Sequence, residues 1–210
     1  MSSALTEDDA RRLEQCVASG GVAVLPTDTV YGLCCDPEDE RAAERLYRLK
    51  GRPATRPAAV MFFAIEPALE VLGELPEPEQ AALQALLPGP VTVLLANRAR
   101  SFAPACRIDP ETLGLRVPRL PGRLAALAGV SGPVMQSSAN LSGEPDARSL
   151  EAVPHSILEG AELVIDGGEL PGIPSTVVDL RDFYAERRWH LLREGALPRA
   201  AVEELLAPLA

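Results

Sequence analysis

Apolar residues along this chain change period repeatedly, and each change marks an element. Ala10, Leu13, Cys16 and Val17 recur at helical spacing behind Thr6 and the acidic Glu7, Asp8 and Asp9, and the stripe stops at Gly20-Gly21. That pattern predicts an opening helix with a capping threonine and a first turn suited to the helix dipole. VAVLP at 22–26 is a short continuous apolar run and predicts a buried strand. Ala42, Leu46 and Leu49 restore the helical period over 39–50. The next segment, GRPATRP at 51–57, cannot continue that helix, because Pro53 and Pro57 remove donors and restrict their predecessors, so a rigid loop is expected.

The alternation continues to the end of the chain. Strands are predicted at 58–63, 91–97, 112–118, 133–139, 162–168, 175–180 and 187–194, and helices at 66–74, 77–87, 121–129 and 200–209, with two short ones at 149–153 and 155–160. Interleaving of this kind, without repeats, predicts one mixed α/β domain over residues 1–210. At 210 residues with 47% apolar composition, the chain can bury about two-thirds of its unfolded surface. No apolar run approaches the ~20 residues of a membrane span, and the polar, acidic start is unlike a signal peptide, so a cytoplasmic protein is expected.

Charge narrows the chemistry. The net charge of −10 argues against a surface devoted to nucleic acid. Two basic islands stand out, six cations against one anion at 41–57 and six arginines against two anions at 98–123, which points to a local anion site. Lys50 is the sole lysine among 20 basic residues, a sign that a compact ammonium is needed there. Cys16, Cys34, Cys35 and Cys106 fall in no metal-ligand spacing and fit reduced thiols, and two histidines give little material for a metal cage or a triad.

Four strings carry candidate chemistry. PTDTVYGL at 26–33 places Thr27, Asp28, Thr29 and Tyr31 after a strand, where α/β sheets bind ligands, although a plain polar turn reads the same way. LKGRPATRP brings Lys50, Arg52 and Arg56 off a helix end into a proline-stiffened loop, expected to be an exposed site that fixes cations on phosphate oxygens. MQSSANLSG ends a strand in Ser137, Ser138 and Asn140, small polar groups suited to phosphate or a hydrated metal. STVVDL and HLLREGALP place Ser175 and Arg193 at strand ends. No GxxxxGK or GxGxxG string occurs, so a nucleotide would be held without a standard phosphate loop.

In their order, PTDTVYGL, KGRP, LLPGPVT, LGLRVP, SSANLSG, DGG, STVVDL and LREGALP closely resemble the YrdC-like threonylcarbamoyl-AMP synthase family, with the motif-bearing core at about 10–198. The resemblance implies a single twisted mixed sheet with flanking helices and a concave basic cleft. It implies an L-threonylcarbamoyladenylate synthase, a nucleotidyltransferase making threonylcarbamoyl-AMP and pyrophosphate from ATP, bicarbonate and L-threonine, with Mg²⁺ on the ATP. By the same resemblance Lys50, Arg52, Arg56, Thr112, Ser138 and Arg193 meet the nucleotide, with Lys50, Arg52, Ser138 and Asn140 as the catalytic group. Thr29, Arg116 and Ser175 hold the amino acid, and Ser138 with Asn140 completes a Mg²⁺ site. The product would serve threonylcarbamoyladenosine formation in tRNA, through partner proteins in the cytosol.

Four positions depart from the family pattern: Arg56, Met61, Gln136 and Asp146. Met61 and Gln136 bear on the choice of amino acid, and leave open a diverged paralogue using another carbamoyl or adenylyl substrate. An RNA-binding module is a further alternative, weakened by an acidic remainder and by only 4% aromatic residues for base stacking. The chain resembles the compact form of the family, without the linker and C-terminal domain of other members.

Overall fold

The computed structural model of the protein describes residues 4–53 and 55–209. Thr6 caps the first helix reciprocally: its hydroxyl accepts from the Asp9 N–H at 3.4 Å, and the Asp9 carboxylate accepts from the Thr6 N–H at 2.9 Å. The helix is α1 (Glu7–Ala18), and after it come β1 (Ala23–Leu25), β2 (Gly32–Cys35), α2 (Glu40–Lys50), β3 (Ala59–Met61), α3 (Ile65–Leu72) and α4 (Glu77–Leu86). The chain proceeds through β4 (Val91–Ala96), α5 (Ala103–Cys106), β5 (Thr112–Arg116), a 3-10 segment at Gly122–Gly129, and β6 (Val134–Ser138). A 3-10 turn (Leu150–Ala152), α6 (His155–Gly160), β7 (Leu163–Val164), β8 (Thr176–Asp179), α7 (Phe183–Glu186), β9 (His190–Arg193), α8 (Arg199–Leu206) and a last 3-10 turn (Ala207–Leu209) complete it.

The nine strands among the described residues form one sheet in the order β7-β1-β2-β6-β3-β5-β4-β8-β9. The pairs β7–β1, β3–β5 and β4–β8 are parallel and the other five antiparallel, so the mixed α/β class expected from the sequence is the observed one. Side chains alternate across the sheet. Val22 and Val24 enter a core shared with Ala42, Leu46 and Tyr47 of α2, Leu83 and Leu86 of α4, and Val202 and Leu206 of α8. Ala23 and Leu25 enter a second core on the opposite face, with Ala10 and Leu13 of α1, Leu127, Cys34, Met61 and Val134.

The two faces are covered unequally. The first core runs the width of the sheet and takes Val91, Val93 and Leu95 of β4, each worth about 1.5–3 kcal/mol on burial. Among the described residues, the second core takes nothing from β4, β5 or β8. Their alternate positions, such as Thr92, Gly114 and Val177, stay half-buried on the face that α1 does not reach. The candidate chemistry collects on this uncovered half.

Several boundaries differ from expectation. GLCC, which reads as the tail of a loop, is strand β2, buried on both faces with no alternation to reveal it. The segment 121–129 is 3-10 rather than α-helical: Pro121 sits at the cap position, and no side chain caps the first turn. The predicted strand at 187–194 shortens to β9, because α7 closes on Arg187 at φ +53° and the strand can start only beyond it. Likewise 162–168 keeps only Leu163–Val164 as strand before the DGG turn.

Candidate active site

The loop after β1 is folded by one hydroxyl. Thr27 Oγ1 donates to the Val30 carbonyl at 2.7 Å and accepts from the N–H groups of Thr29 and Val30 at 3.2 and 3.3 Å. This turn delivers Asp28 to Arg116 at the end of β5. Asp28 Oδ1 accepts from Arg116 Nη2 at 2.9 Å, and Oδ2 from the Arg119 N–H at 2.9 Å. Arg116 Nη2 also reaches Thr29 Oγ1 at 3.2 Å, and Nη1 reaches Gln136 Oε1 at 3.1 Å. Both side chains of the ion pair are buried, and Arg116 Nε is a buried donor without a partner among the described residues. Burial pulls the guanidinium below its ordinary value, Asp28 opposes that, and the neighbouring Arg193 adds to it; an arginine stays charged regardless.

The second element is the C-terminus of α2. Gly51, left-handed at φ +56°, turns the chain out of the helix, a conformation glycine adopts without steric cost. Arg52 then donates to Ser137 Oγ at 2.9 Å and to the Pro57 carbonyl at 2.6 Å. Lys50 points inward. Its ammonium donates to the Ser138 carbonyl and, at 2.8 Å each, to the carbonyl and side-chain oxygen of Asn140. Ser138 Oγ donates to the same Asn140 oxygen at 2.6 Å, and the Asn140 amide N–H reaches the Glu144 carbonyl. Burial, with a smaller push from Arg52, brings Lys50 down to about 8.

The third element is the β8–β9 hairpin. Arg193 donates to the Ser175 carbonyl from Nε at 3.1 Å and from Nη2 at 2.8 Å, and Nη2 reaches Ser175 Oγ at 3.2 Å. Ser175 Oγ and Thr92 Oγ1 share a hydrogen bond of 2.8 Å.

These elements enclose a cavity of about 170 Å³ on the uncovered half of the sheet, lined by Arg52, Arg116, Arg193, Ser138, Ser175 and Asp146, among others. Three guanidiniums thus face one carboxylate. Thr29, Lys50 and Asn140 stand directly behind the wall, in contact with Arg116 or Ser138. The expectation of an exposed Lys50 is corrected: it is 2% exposed, because its three donors find acceptors on the turn after β6. Arg56 is exposed and Thr112 lies four residues up β5, about 13 Å from Arg116 at strand rise; neither lines this cavity. The Thr112 hydroxyl accepts from Arg181 Nη1 at 2.9 Å. Met61 is wholly buried in the second core. Thr92 and Val177 line the cavity without having been singled out in the sequence; their signal is alternation along β4 and β8, where a half-buried position interrupts buried ones.

The basic islands disperse in space. Of the six arginines at 98–123, Arg98, Arg100, Arg107 and Arg116 are each paired with a carboxylate, three of these on other elements. The cavity itself carries a trio of guanidiniums, Arg116 among them, with serine hydroxyls between them, an arrangement suited to anionic groups. An activated nucleophile is not assembled there. His155 and His190 are exposed, burial pushes the Cys35 thiol up to about 12, and it raises Cys34 well above its ordinary value.

The donor set can also be tested against Mg²⁺. Among the described residues no three His, Cys, Asp or Glu side chains gather as a cage. Asn140 Oδ1 already accepts from Lys50 and Ser138, whereas the Asp146 carboxylate and Ser138 hydroxyl on the wall are oxygen ligands that a hydrated ion carried by phosphates accepts.

Known proteins carry the same chain pattern. A threonylcarbamoyl-AMP synthase of Bacillus subtilis is 30% identical over 189 residues, covering 90% of this chain and 54% of that protein. One from Saccharophagus degradans is 31% identical over 182 residues, covering 83% of this chain and 92% of that one. The crystal structure of Pyrococcus abyssi Sua5 with L-threonine superposes with a TM-score of 0.81 at 31% identity, over 96% of this chain and 58% of that one. The chain therefore spans a little over half the length of the Bacillus and Pyrococcus relatives. The family model named for Sua5, YciO and YrdC, described as telomere recombination, matches residues 15–195, and the chain belongs to that family.

Proposed function

We propose that the chain is an L-threonylcarbamoyladenylate synthase, joining ATP, bicarbonate and L-threonine into threonylcarbamoyl-AMP with loss of pyrophosphate and water. The observation that carries this reading is the trio of Arg52, Arg116 and Arg193 around serine hydroxyls on the one uncovered half of the sheet. Two anionic reactants must meet there, a triphosphate and an amino-acid carbamate, and each needs its own fixed cations. Arg116, anchored by Asp28 and Gln136 with Nε unpaired, suits the amino-acid carboxylate, with Thr29 behind it and Ser175 beside it.

Arg52, Arg193 and Ser138 suit phosphate oxygens, and Lys50 with Asn140 fixes the Ser138 turn, meeting the nucleotide when a mutual contact is exchanged for a phosphate oxygen. Arg56 and Thr112 would meet outer parts of the nucleotide. A carbamate oxygen forms the new bond to the α-phosphorus as the bond to pyrophosphate breaks, so the protein's work is positioning and charge stabilisation, with no covalent enzyme intermediate. Ser138 and Asp146 would hold Mg²⁺ carried by the triphosphate, which would supply further charge neutralisation.

In this reading the product passes to tRNA-modifying partner proteins in the cytosol. No helix among the described residues is long and apolar enough to cross a membrane. The RNA-binding alternative loses support from the pairing of Arg98, Arg100 and Arg107 with carboxylates, which leaves less free charge for phosphates. The test is incubation with ATP, Mg²⁺, bicarbonate and L-threonine followed by mass spectrometry. Threonylcarbamoyl-AMP appearing only when all are present supports the proposal. ATP left intact by folded protein would overturn it, and an adduct with another amino acid alone would identify the diverged paralogue.

A further inference from the structure

Tyr47 is 2% exposed at the last turn but one of α2, and nothing in the reaction described above uses it. It nevertheless holds the loop that carries Arg52 at three points. Its carbonyl accepts from the Arg52 N–H at 3.0 Å, its hydroxyl donates to the Arg56 carbonyl at 2.6 Å, and the Arg52 guanidinium lies 5.9 Å from its ring centroid. A second guanidinium, from Arg107, sits 4.7 Å from the same centroid. Arg107 also pairs with Glu40, seven residues before Tyr47 and hence on the same face of α2, so one side chain braces both turns.

The Arg107 arrangement is costly. Its backbone is at φ 55° and ψ −121°, a region unfavourable for a residue with a Cβ, and its buried Nε and Nη2 have no hydrogen-bond acceptor among the described residues. The guanidinium lies over the electron-rich Tyr47 ring, to which a cation is attracted.

We infer that Tyr47, braced by Arg107, is a positioning residue that sets the 51–57 loop and with it the Arg52 guanidinium for nucleotide binding. The assignment of nucleotide to Arg52 rests on the synthase reading; the positioning of the loop does not. Tyr47→Phe keeps the ring and removes the tether to Arg56, and Arg107→Ala removes the brace while Arg107→Lys keeps a cation over the ring.

Hydrogen exchange of peptides spanning 51–57 and steady-state kinetics test this together. In Tyr47→Phe, exchange in that segment speeds up while the rest of α2 is unchanged. The KM for ATP rises roughly 2- to 12-fold, the range a lost hydrogen bond gives, with the KM for threonine unmoved. Arg107→Ala behaves alike, and Arg107→Lys recovers part of the loss. Unchanged exchange at 51–57 in Tyr47→Phe, or KM values for ATP and threonine rising together, would overturn the inference. A wild-type protein that makes no threonylcarbamoyl-AMP sinks the synthase reading alone, since the exchange arm decides the positioning claim by itself.

Discussion

Lys50 places one ammonium among three oxygens, and that count makes its protonation consequential. Held down to about 8, it is charged at pH 7 and loses a proton as pH rises through 8. The neutral amine keeps two donors and presents a lone pair to the third oxygen, which loosens the turn bearing Ser138 and Asn140. The account therefore expects kcat/KM for ATP to fall as pH rises through about 8, read between about pH 6.5 and 9.5. Lys50→Arg keeps its charge across that range and should lack the step. Its level should be lower by roughly tenfold or more, since a planar guanidinium does not fill the place of an ammonium. A wild-type profile flat through pH 8 would remove the charge of Lys50 from the mechanism. The Asp28–Arg116 pair makes a second residue-scale claim. Removing one member of a buried pair strands the other, so Asp28→Ala should lose about 3–5 kcal/mol in urea unfolding, and adding Arg116→Met should restore part of it. A loss near zero in Asp28→Ala would mean that solvent reaches Arg116.

At the scale of elements, β2 and β6 pair with Gly32 opposite Ser138 and Cys34 opposite Gln136, and the Gln136 side chain lying over Gly32 explains why the strand begins with glycine. A Cβ on Gly32 would stand 2.7 Å from Gln136 Nε2, the far end of the side chain that accepts from Arg116. Gly32→Ala should push Gln136 away from Arg116 and cost about 1–3 kcal/mol as an overpacked site. Shortening the neighbour in Gly32→Ala/Gln136→Ala should recover the packing part of that loss in the same unfolding assay. Equal stability of Gly32→Ala and wild type would mean that the side chain moves freely. This pair also shows what the sequence could not reveal. The string GLCC is too short and too uniformly apolar to display a period, and as a strand it lies between β1 and partners 100–106 residues away, at 135–138. Helices such as α1, with Thr6 at its cap, and α2, with Ala42, Leu46 and Leu49 at helical spacing, were legible because their signals are local.

For the molecule as a whole, the order of motifs made the family and the mixed sheet readable, and most of the candidate residues do converge on one cavity. Their layering was not readable. Whether Lys50 or Arg52 faces the cavity depends on the left-handed turn at Gly51 and on acceptors almost 90 residues away, and the surplus of arginines at 98–123 hides ion pairs to distant carboxylates. Nor does any local pattern state that α1 stops short of β4, β5 and β8, which is what leaves the face open. The central claim is that this open half is where nucleotide and amino acid meet. A larger cavity of about 490 Å³ lies on the far side of Asp28, lined by Arg119, Arg123, Leu124 and Leu170 among others, and it offers a definite alternative. The most direct measurement is a crystal structure with L-threonine and a non-hydrolysable ATP analogue. The account predicts phosphate density on Arg52, Ser138 and Arg193, with the threonine carboxylate on Arg116. Density for both ligands confined to the cavity beside Arg119 and Arg123 would contradict it.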